Sequence, residues 1–520
     1  MVVTGRRCTG LAGGCRSMRV GSVIYVCTRR VCTDARAPPG WKPRIVFRIG
    51  RVVTVLALIA VGGCSCGSLS RSTAPPATGR LTLKPCAVQG ISARCGTFVV
   101  PENRSKPNGR TIGLRVVVLP ALSKPAASDA VTYLTGGPGD AVTDETKILS
   151  NELIDLNEHH EILLVDQRGT GSSAYYCPNP TKPFGSTAEK RDYIRDCLRA
   201  FGGDMNQYGT RTAMDDLDAV RAALGYRQLD IIGASYGATA AQVYLRLHPS
   251  SVRTLILITV TAIDVPFFGR WAVNAQHALD QVAAICDSEP ACRKAFPNWE
   301  RQFGELVKAW NAHPVQTRKG VMMTGNELAG IVHVMLLDMN NAASIPLLVN
   351  RAAEGDYTVL NQQGPGDLSL PSPPQLMAWS IWCNEPWTGL AANPPWGTEF
   401  DSYTAAYIAE FRRGCSFFPK RAEPASLWKL PSSSTVPVLA IDGGADPQDP
   451  PTNFPDLKQH FPDSRIVILP HIGHEFDIGI GGWGCVNTMM LNVVERATTK
   501  GLNTTLCNSA IVYPPIPLTG

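Results

Sequence analysis

Two rhythms of apolar residues alternate along most of this chain. Short β-branched runs, nearly continuous in apolar character, recur at 113–121, 131–135, 161–167, 229–234, 253–260, 436–443 and 464–470. Such runs suit strands covered on both faces, as in a parallel sheet. Between them, "RTAMDDLDAVRAALGY" at 211–226 sets Met214, Leu217, Val220, Ala223 and Leu224 on one helical face, and Thr212 with Asp215 imitates a capping box. The alternation predicts an α/β fold, a mostly parallel, doubly wound sheet with helices on both sides. The rhythm stops near residue 262 and resumes near 435. The stretch between holds the helix-like segments "RWAVNAQHALDQVAAIC", "ERQFGELVKAWNAH" and "SYTAAYIAEFRR" and several tryptophans. It reads as a mainly helical cap, 263–434, inserted between two parts of the core, 85–262 and 435–520, and lying over the working edge of the sheet.

The first 84 residues are patterned differently. Arg44, Arg48 and Arg51 precede "VVTVLALIAV" at 52–61, ten apolar residues and too few to span a bilayer. A basic flank, a short apolar run and small residues read as a secretory signal peptide. The stretch "VGGC", Val61 to Cys64, resembles the lipobox of bacterial lipoproteins, which implies lipidation at Cys64. Residues 1–63 are then an upstream segment with the signal peptide, and 64–84 an anchor with a tether, "SLSRSTAPPATGR" at 68–80. The residues ahead of the signal, with Cys8, Cys15, Cys27 and Cys32 among arginines, form no n-region of ordinary length, so a start codon placed too early is expected. The expected location is the bacterial cell envelope, on the outer face of the membrane or released from it.

Charge changes the picture little once it is localised. The formal net charge is +6, but residues 1–51 hold eleven Lys or Arg against Asp34 alone, so the remainder is mildly acidic. No basic face and no nucleic-acid signature remain, so no nucleic-acid partner is expected, and a membrane only through the anchor. Export also decides how the cysteines are read, because an oxidising compartment favours disulfides. Ten follow Cys66, in five sequence-local couples: Cys86 with Cys95, Cys177 with Cys197, Cys286 with Cys292, Cys383 with Cys415, and Cys485 with Cys507. None is a C-x2-C pair and no histidine cluster accompanies them, so neither zinc nor another metal is expected.

The chemistry centres on "DIIGASYGATAAQVY" at 230–244. A serine between two glycines at a strand-to-helix junction reads as a nucleophile on a tight, strained turn, with Gly233 and Gly237 admitting close backbone. A hydroxyl needs a base to take its proton, and that base needs an orienting carboxylate. Late in the chain "LPHIGHEF" offers His474, on a flexible loop, with His471 as the alternative. Before it, "IDGGADPQDP" offers Asp442, Asp446 and Asp449, of which Asp446 lies past two glycines in the turn. Donors for a developing oxyanion are expected from the backbone of Tyr236 and from the Gly-rich loop "YLTGGPGD" at 133–140, where Gly136 and Gly137 permit close approach.

This ordered set resembles the α/β-hydrolase family of prolyl iminopeptidases and, more closely, the secreted tripeptidyl aminopeptidases of actinobacterial type. The likeness runs through "LTGGPGD", "LLVDQRGTGSS", "DDLDAVRAALGY", "IIGASYGATAAQVYLRLHP", "DGGADPQDPP" and "HIGHEF", over most of 85–510 outside the cap. It implies Ser235 as nucleophile, Asp446 as orienting acid, His474 as general base, and Gly137 with Tyr236 as oxyanion hole. It further implies a cap carboxylate for the free amine of a peptide, for which Glu385 in "WCNEPW" is the candidate, and a structural role for Arg168. Two stretches depart from the pattern. "ILITVTAID" at 256–264 stands where relatives end a strand in Asp-Gly, and the usual D-x-x-T-P appears as Asp446-Pro447-Gln448-Asp449-Pro450. The resulting expectation is an exported serine hydrolase, without metal or organic cofactor, cutting peptides near a free N-terminus. An esterase or lipase with the same triad is the second enzyme reading, and a catalytically silent envelope binding protein the reading outside enzymes.

Overall fold

A computed structural model describes residues 17–20, 23–28, 31–34 and 81–519, apart from 176, 178–186, 319, 364–375, 455, 476–481 and 509–511. The chain divides after Ser72 into two units. In the first, the strands Ser17–Val20, Val23–Thr28 and Val31–Asp34 pair antiparallel in that order. The signal peptide, Cys64 and the tether lie outside the described residues.

The second unit is built on one nine-stranded sheet. Its strands are β1 (Lys84–Val88), β2 (Ile91–Pro101), β3 (Thr111–Leu119), β4 (Ala130–Leu134), β5 (Glu161–Val165), β6 (Leu229–Ala234), β7 (Val252–Ile258), β8 (Val438–Gly443) and β9 (Ser464–Leu469), in spatial order β9-β8-β7-β6-β4-β5-β3-β2-β1. The six strands from β4 to β9 run parallel, and β3, β2 and β1 continue the sheet antiparallel. The apolar runs are continuous because both faces are covered. In β7, Leu255 and Leu257 join the core on one face while Ile256 and Ile258 join that on the other, and Val438 and Ala440 against Leu439 and Ile441 repeat the division in β8.

All seven predicted strands form, within two residues of their expected ends. The hairpin β1–β2 was not anticipated, because its residues alternate in burial and carry little apolar signal. Its turn is legible afterwards: Gln89 and Gly90 both have positive φ, 51° and 86°, as a two-residue hairpin turn requires.

Helix α1 (Thr210–Leu224) buries Met214, Leu217 and Val220 as expected, but its start differs. The N-cap is Gly209, with no side-chain cap, and Thr212 and Asp215 lie inside the helix, so the capping box does not form. The N-cap stands three residues early because Thr210 is itself held, its hydroxyl and N–H both donating to Glu385. Helix α2 (Tyr236–Leu247) follows β6 after one residue.

Between β7 and β8 the chain is mainly helical, with α3 (Phe267–Ser288), α4 (Trp299–Ala312), α5 (Gly325–Met335) and α6 (Asp401–Cys415) among its elements, plus one hairpin, Val315–Arg318 with Val321–Met323. It owns a separate apolar core, in which Trp299, Phe303, Trp310, Phe400 and Tyr403 are buried. The five sulfur pairs join as the spacing suggested, Cys86–Cys95, Cys177–Cys197, Cys286–Cys292, Cys383–Cys415 and Cys485–Cys507. Among the described residues no helix is long and apolar enough to cross a membrane.

Candidate active site

Ser235 sits alone between β6 and α2, in a conformation a non-glycine residue rarely adopts, φ 53° and ψ −125°. Its N–H donates to Ile258 O (3.0 Å), so the strained turn is tied to the neighbouring strand end. The glycines around it are required by contact. A Cβ on Gly237 would lie 1.9 Å from Leu134 O, and one on Gly233 would lie 2.4 Å from Gly237 O. Since both obstacles are backbone, no rotamer change relieves them. Gly237→Ala is therefore expected to cost at least about 3 kcal/mol of stability. Chemical denaturation checks this; a midpoint equal to wild type would mean that β4 moves freely.

The two late loops reach Ser235 because they are bonded to each other. Ala445 N donates to Ile472 O (2.9 Å) and Gly444 N to Leu469 O (2.9 Å), which fixes the turn after β8 against the turn after β9. Glu475 N donates to Leu337 O (2.8 Å), just beyond α5, so the cap supports the histidine loop from above. The outcome is a relay. His474 Nε2 lies 3.0 Å from Ser235 Oγ, and His474 Nδ1 lies 2.9 Å from Asp446 Oδ2. Asp446 is fully buried, and its other oxygen accepts the N–H groups of Gln448 (2.7 Å) and Asp449 (2.9 Å). His471, the alternative base, instead stacks edge-on to Tyr513.

The three aspartates of "IDGGADPQDP" have separate environments. Asp442 is fully buried and accepts from Val260 N (2.9 Å), its other oxygen having no partner among the described residues, and burial pushes its carboxyl well above the usual range. Asp449 accepts from Thr261 Oγ1 and lies 3.6 Å from His474 Nδ1. Burial pushes its carboxyl up to about 7 against the pull of the His474 charge. For His474 burial opposes the charged ring, but Asp446 foremost and then Asp449 outweigh it and hold the imidazole up at about 9.

A small cavity of about 60 Å³ adjoins the hydroxyl, lined by Gly137, Ser235, Tyr236, Thr239, Thr261, Phe267, Trp382, Trp387, Gln448 and Asp449. Gly137 has φ 104°, open to glycine alone, whereas a Cβ on Gly136 would meet Ser235 at an ordinary 3.4 Å. The Tyr236 hydroxyl turns away, to Thr210 Oγ1 (2.9 Å) and Gln167 Oε1 (3.2 Å), which leaves its backbone at the N-terminus of α2 beside the cavity.

Residues 129–284 match the family described as alpha/beta hydrolase fold. This is a serine hydrolase of the α/β-hydrolase fold. Among curated relatives, a putative hydrolase of Escherichia coli, YuaR, is 26% identical over 282 residues, half of this chain and 56% of that protein. The tripeptidyl aminopeptidase of Streptomyces lividans is 29% identical over 481 residues, 81% of this chain and 85% of the relative. The serine protease Hip1 of Mycobacterium tuberculosis is 27% identical over 223 residues, 38% of this chain and 42% of the relative.

In this hydrolase Glu385 does not fill the place expected of it. It is absent from the cavity wall, and its carboxylate accepts from Thr210 N (2.8 Å), Thr210 Oγ1 (2.7 Å), Trp387 Nε1 (2.8 Å) and Arg421 Nη2 (3.2 Å). Burial raises its pKa and Arg421 opposes that. With both oxygens engaged by groups of the core and cap, Glu385 ties the two together and has no acceptor left for a substrate ammonium. Arg168 is structural as anticipated, fully buried and bidentate to Asp216 (2.7 and 2.9 Å), with Glu102 O accepting a third bond (2.7 Å). Outside the site, Asp129, His160 and Asp230 converge, but the Arg253 guanidinium already stands among them, 3.0 Å from Asp230 and 3.4 Å from Asp129. The cavity residues Thr261, Phe267, Trp382 and Trp387 escaped the sequence reading. Thr261 carried the one available signal, lying within the stretch that departs from the relatives.

Proposed function

We propose that this hydrolase is an exported, lipid-anchored peptidase that cuts peptides near a free N-terminus. Ser235 Oγ attacks the scissile carbonyl while His474 Nε2 takes its proton, and Asp446 holds the ring through Nδ1–H. The oxyanion is received by the N–H groups of Gly137 and Tyr236. Nε2 then gives the proton to the departing amine, and water, activated by the same nitrogen, releases the acyl group from Ser235. The observation that carries this reading is the unbroken contact from Ser235 Oγ through His474 to a buried, doubly bonded Asp446. The peptide preference is supported by relatives named tripeptidyl aminopeptidase and serine protease. Export is supported by five disulfides and by the signal-like run ahead of Cys64.

The test compares peptidyl amides with a free or an acetylated N-terminus and matched acyl esters. A free amine should raise kcat/KM at least roughly tenfold, the worth of one charge-assisted contact of about 1.4 kcal/mol. Turnover of esters alone, indifferent to the amine, would replace the peptidase with an esterase.

A further inference from the structure

The relay uses one aspartate at the histidine, yet two stand there. Nδ1 carries one hydrogen, and Asp446 Oδ2 takes it at 2.9 Å. Asp449 Oδ2, at 3.6 Å from the same nitrogen, is beyond hydrogen-bond length and well within strong Coulombic reach. Its position is imposed from three sides. Thr261 Oγ1 donates to Oδ1, Asn453 Nδ2 braces that hydroxyl (2.9 Å) and Gln448 O (3.0 Å), and Asn274 of α3 also donates to Gln448 O (2.8 Å). A turn former needs none of this bracing.

We propose that Asp449 is a positioning residue, a second carboxylate on the Nδ1 side of His474 that stabilises the charged ring and so sets the lowest pH at which Ser235 can be activated. The inference rests on the serine-hydrolase reading of the site. The other titratable groups facing the ring leave this role to Asp449. From β8, burial pushes the Asp442 carboxyl well above its usual range, which disfavours its charged form; from α5, burial pulls His333 down to about 3, so that ring is uncharged. Glu475 is the chain neighbour of His474 but exposed, where water and salt screen it. Asp446 is the charge the relay already needs.

The sign follows. Proton transfer from Ser235 requires the uncharged ring, so kcat/KM falls as pH drops through the His474 pKa, held at about 9. Asp449, pushed up to about 7, is an anion across that range and favours the imidazolium. Removing its charge moves the acid limb to lower pH.

The experiment is Asp449→Asn, which keeps the shape and the acceptor for Thr261. The acid limb of kcat/KM, and of the rate of fluorophosphonate labelling, should move down by about one pH unit. As a readout free of turnover, the ring-nitrogen titration of His474 is followed by NMR in Ser235→Ala protein with and without Asp449→Asn, and the same shift is expected. An unmoved limb and an unmoved titration would overturn the proposal and leave Asp449 as a brace for the turn. If Asp449→Asn fails to fold, Thr261→Val, which frees the carboxylate from its brace, should shift the titration instead, and no shift there also overturns it. Failure of the serine reading is separate, for it would appear as labelling of wild type that survives Ser235→Ala.

Discussion

Ser235→Ala will leave a folded protein that no fluorophosphonate labels and whose kcat/KM has dropped by roughly 10⁴- to 10⁶-fold. The size follows from the position. Among the described residues the hydroxyl is the one nucleophile in contact with His474 Nε2, and it stands at the N-terminus of α2 beside Gly137. Alanine removes the attacking atom and leaves the elbow, its tie to Ile258 and the cavity walls in place, so thermal stability should hardly change. What activity remains comes from binding and oxyanion donors alone. Labelling that persists at Ser235→Ala would place the nucleophile elsewhere.

Asp446→Asn should lower kcat by about 10⁴-fold at the alkaline plateau. Oδ1 is pinned by the N–H groups of Gln448 and Asp449, so the asparagine oxygen must occupy that place. Its NH2 then faces His474 Nδ1, which can only accept, and the ring proton is driven to Nε2, the atom that has to receive the proton of Ser235. The contrast with Asp449→Asn is diagnostic, since one variant should lose activity at every pH and the other should shift the acid limb. Steady-state kinetics across pH 6 to about 10 separates them. Equal loss from both would make the pair a single shared acid.

The sheet was legible because strands buried on both faces write themselves as continuous apolar runs. The helical stretch between β7 and β8 was legible because that rhythm stops and helical spacing replaces it. Ser235 was legible for a covalent reason: a strand, a turn of impossible tightness and a helix must be adjacent in the chain, so glycines at 233 and 237 record the geometry locally. The disulfide partners likewise lie close in sequence, and proximity identified them. The hairpin β1–β2 was not, since its alternating, half-polar strands resemble loop.

Other decisions belong to contacts between residues far apart in sequence, which no local pattern encodes. Three aspartates within eight residues are chemically alike, and only the bonding of the turns after β8 and β9 decides that Asp446 meets His474, that Asp442 is buried, and that Asp449 stands at 3.6 Å. Glu385 invited a role in substrate binding because a lone acid among tryptophans looks available; folding surrounds it with Thr210, Trp387 and Arg421 and uses it as a joint. The sequence by itself determined which chemistry is present and on which turns it rides, because those constraints act over a few residues. Burial and the approach of distant loops decided which of the equivalent groups meets His474, because a carboxylate's charge depends on its neighbours in space.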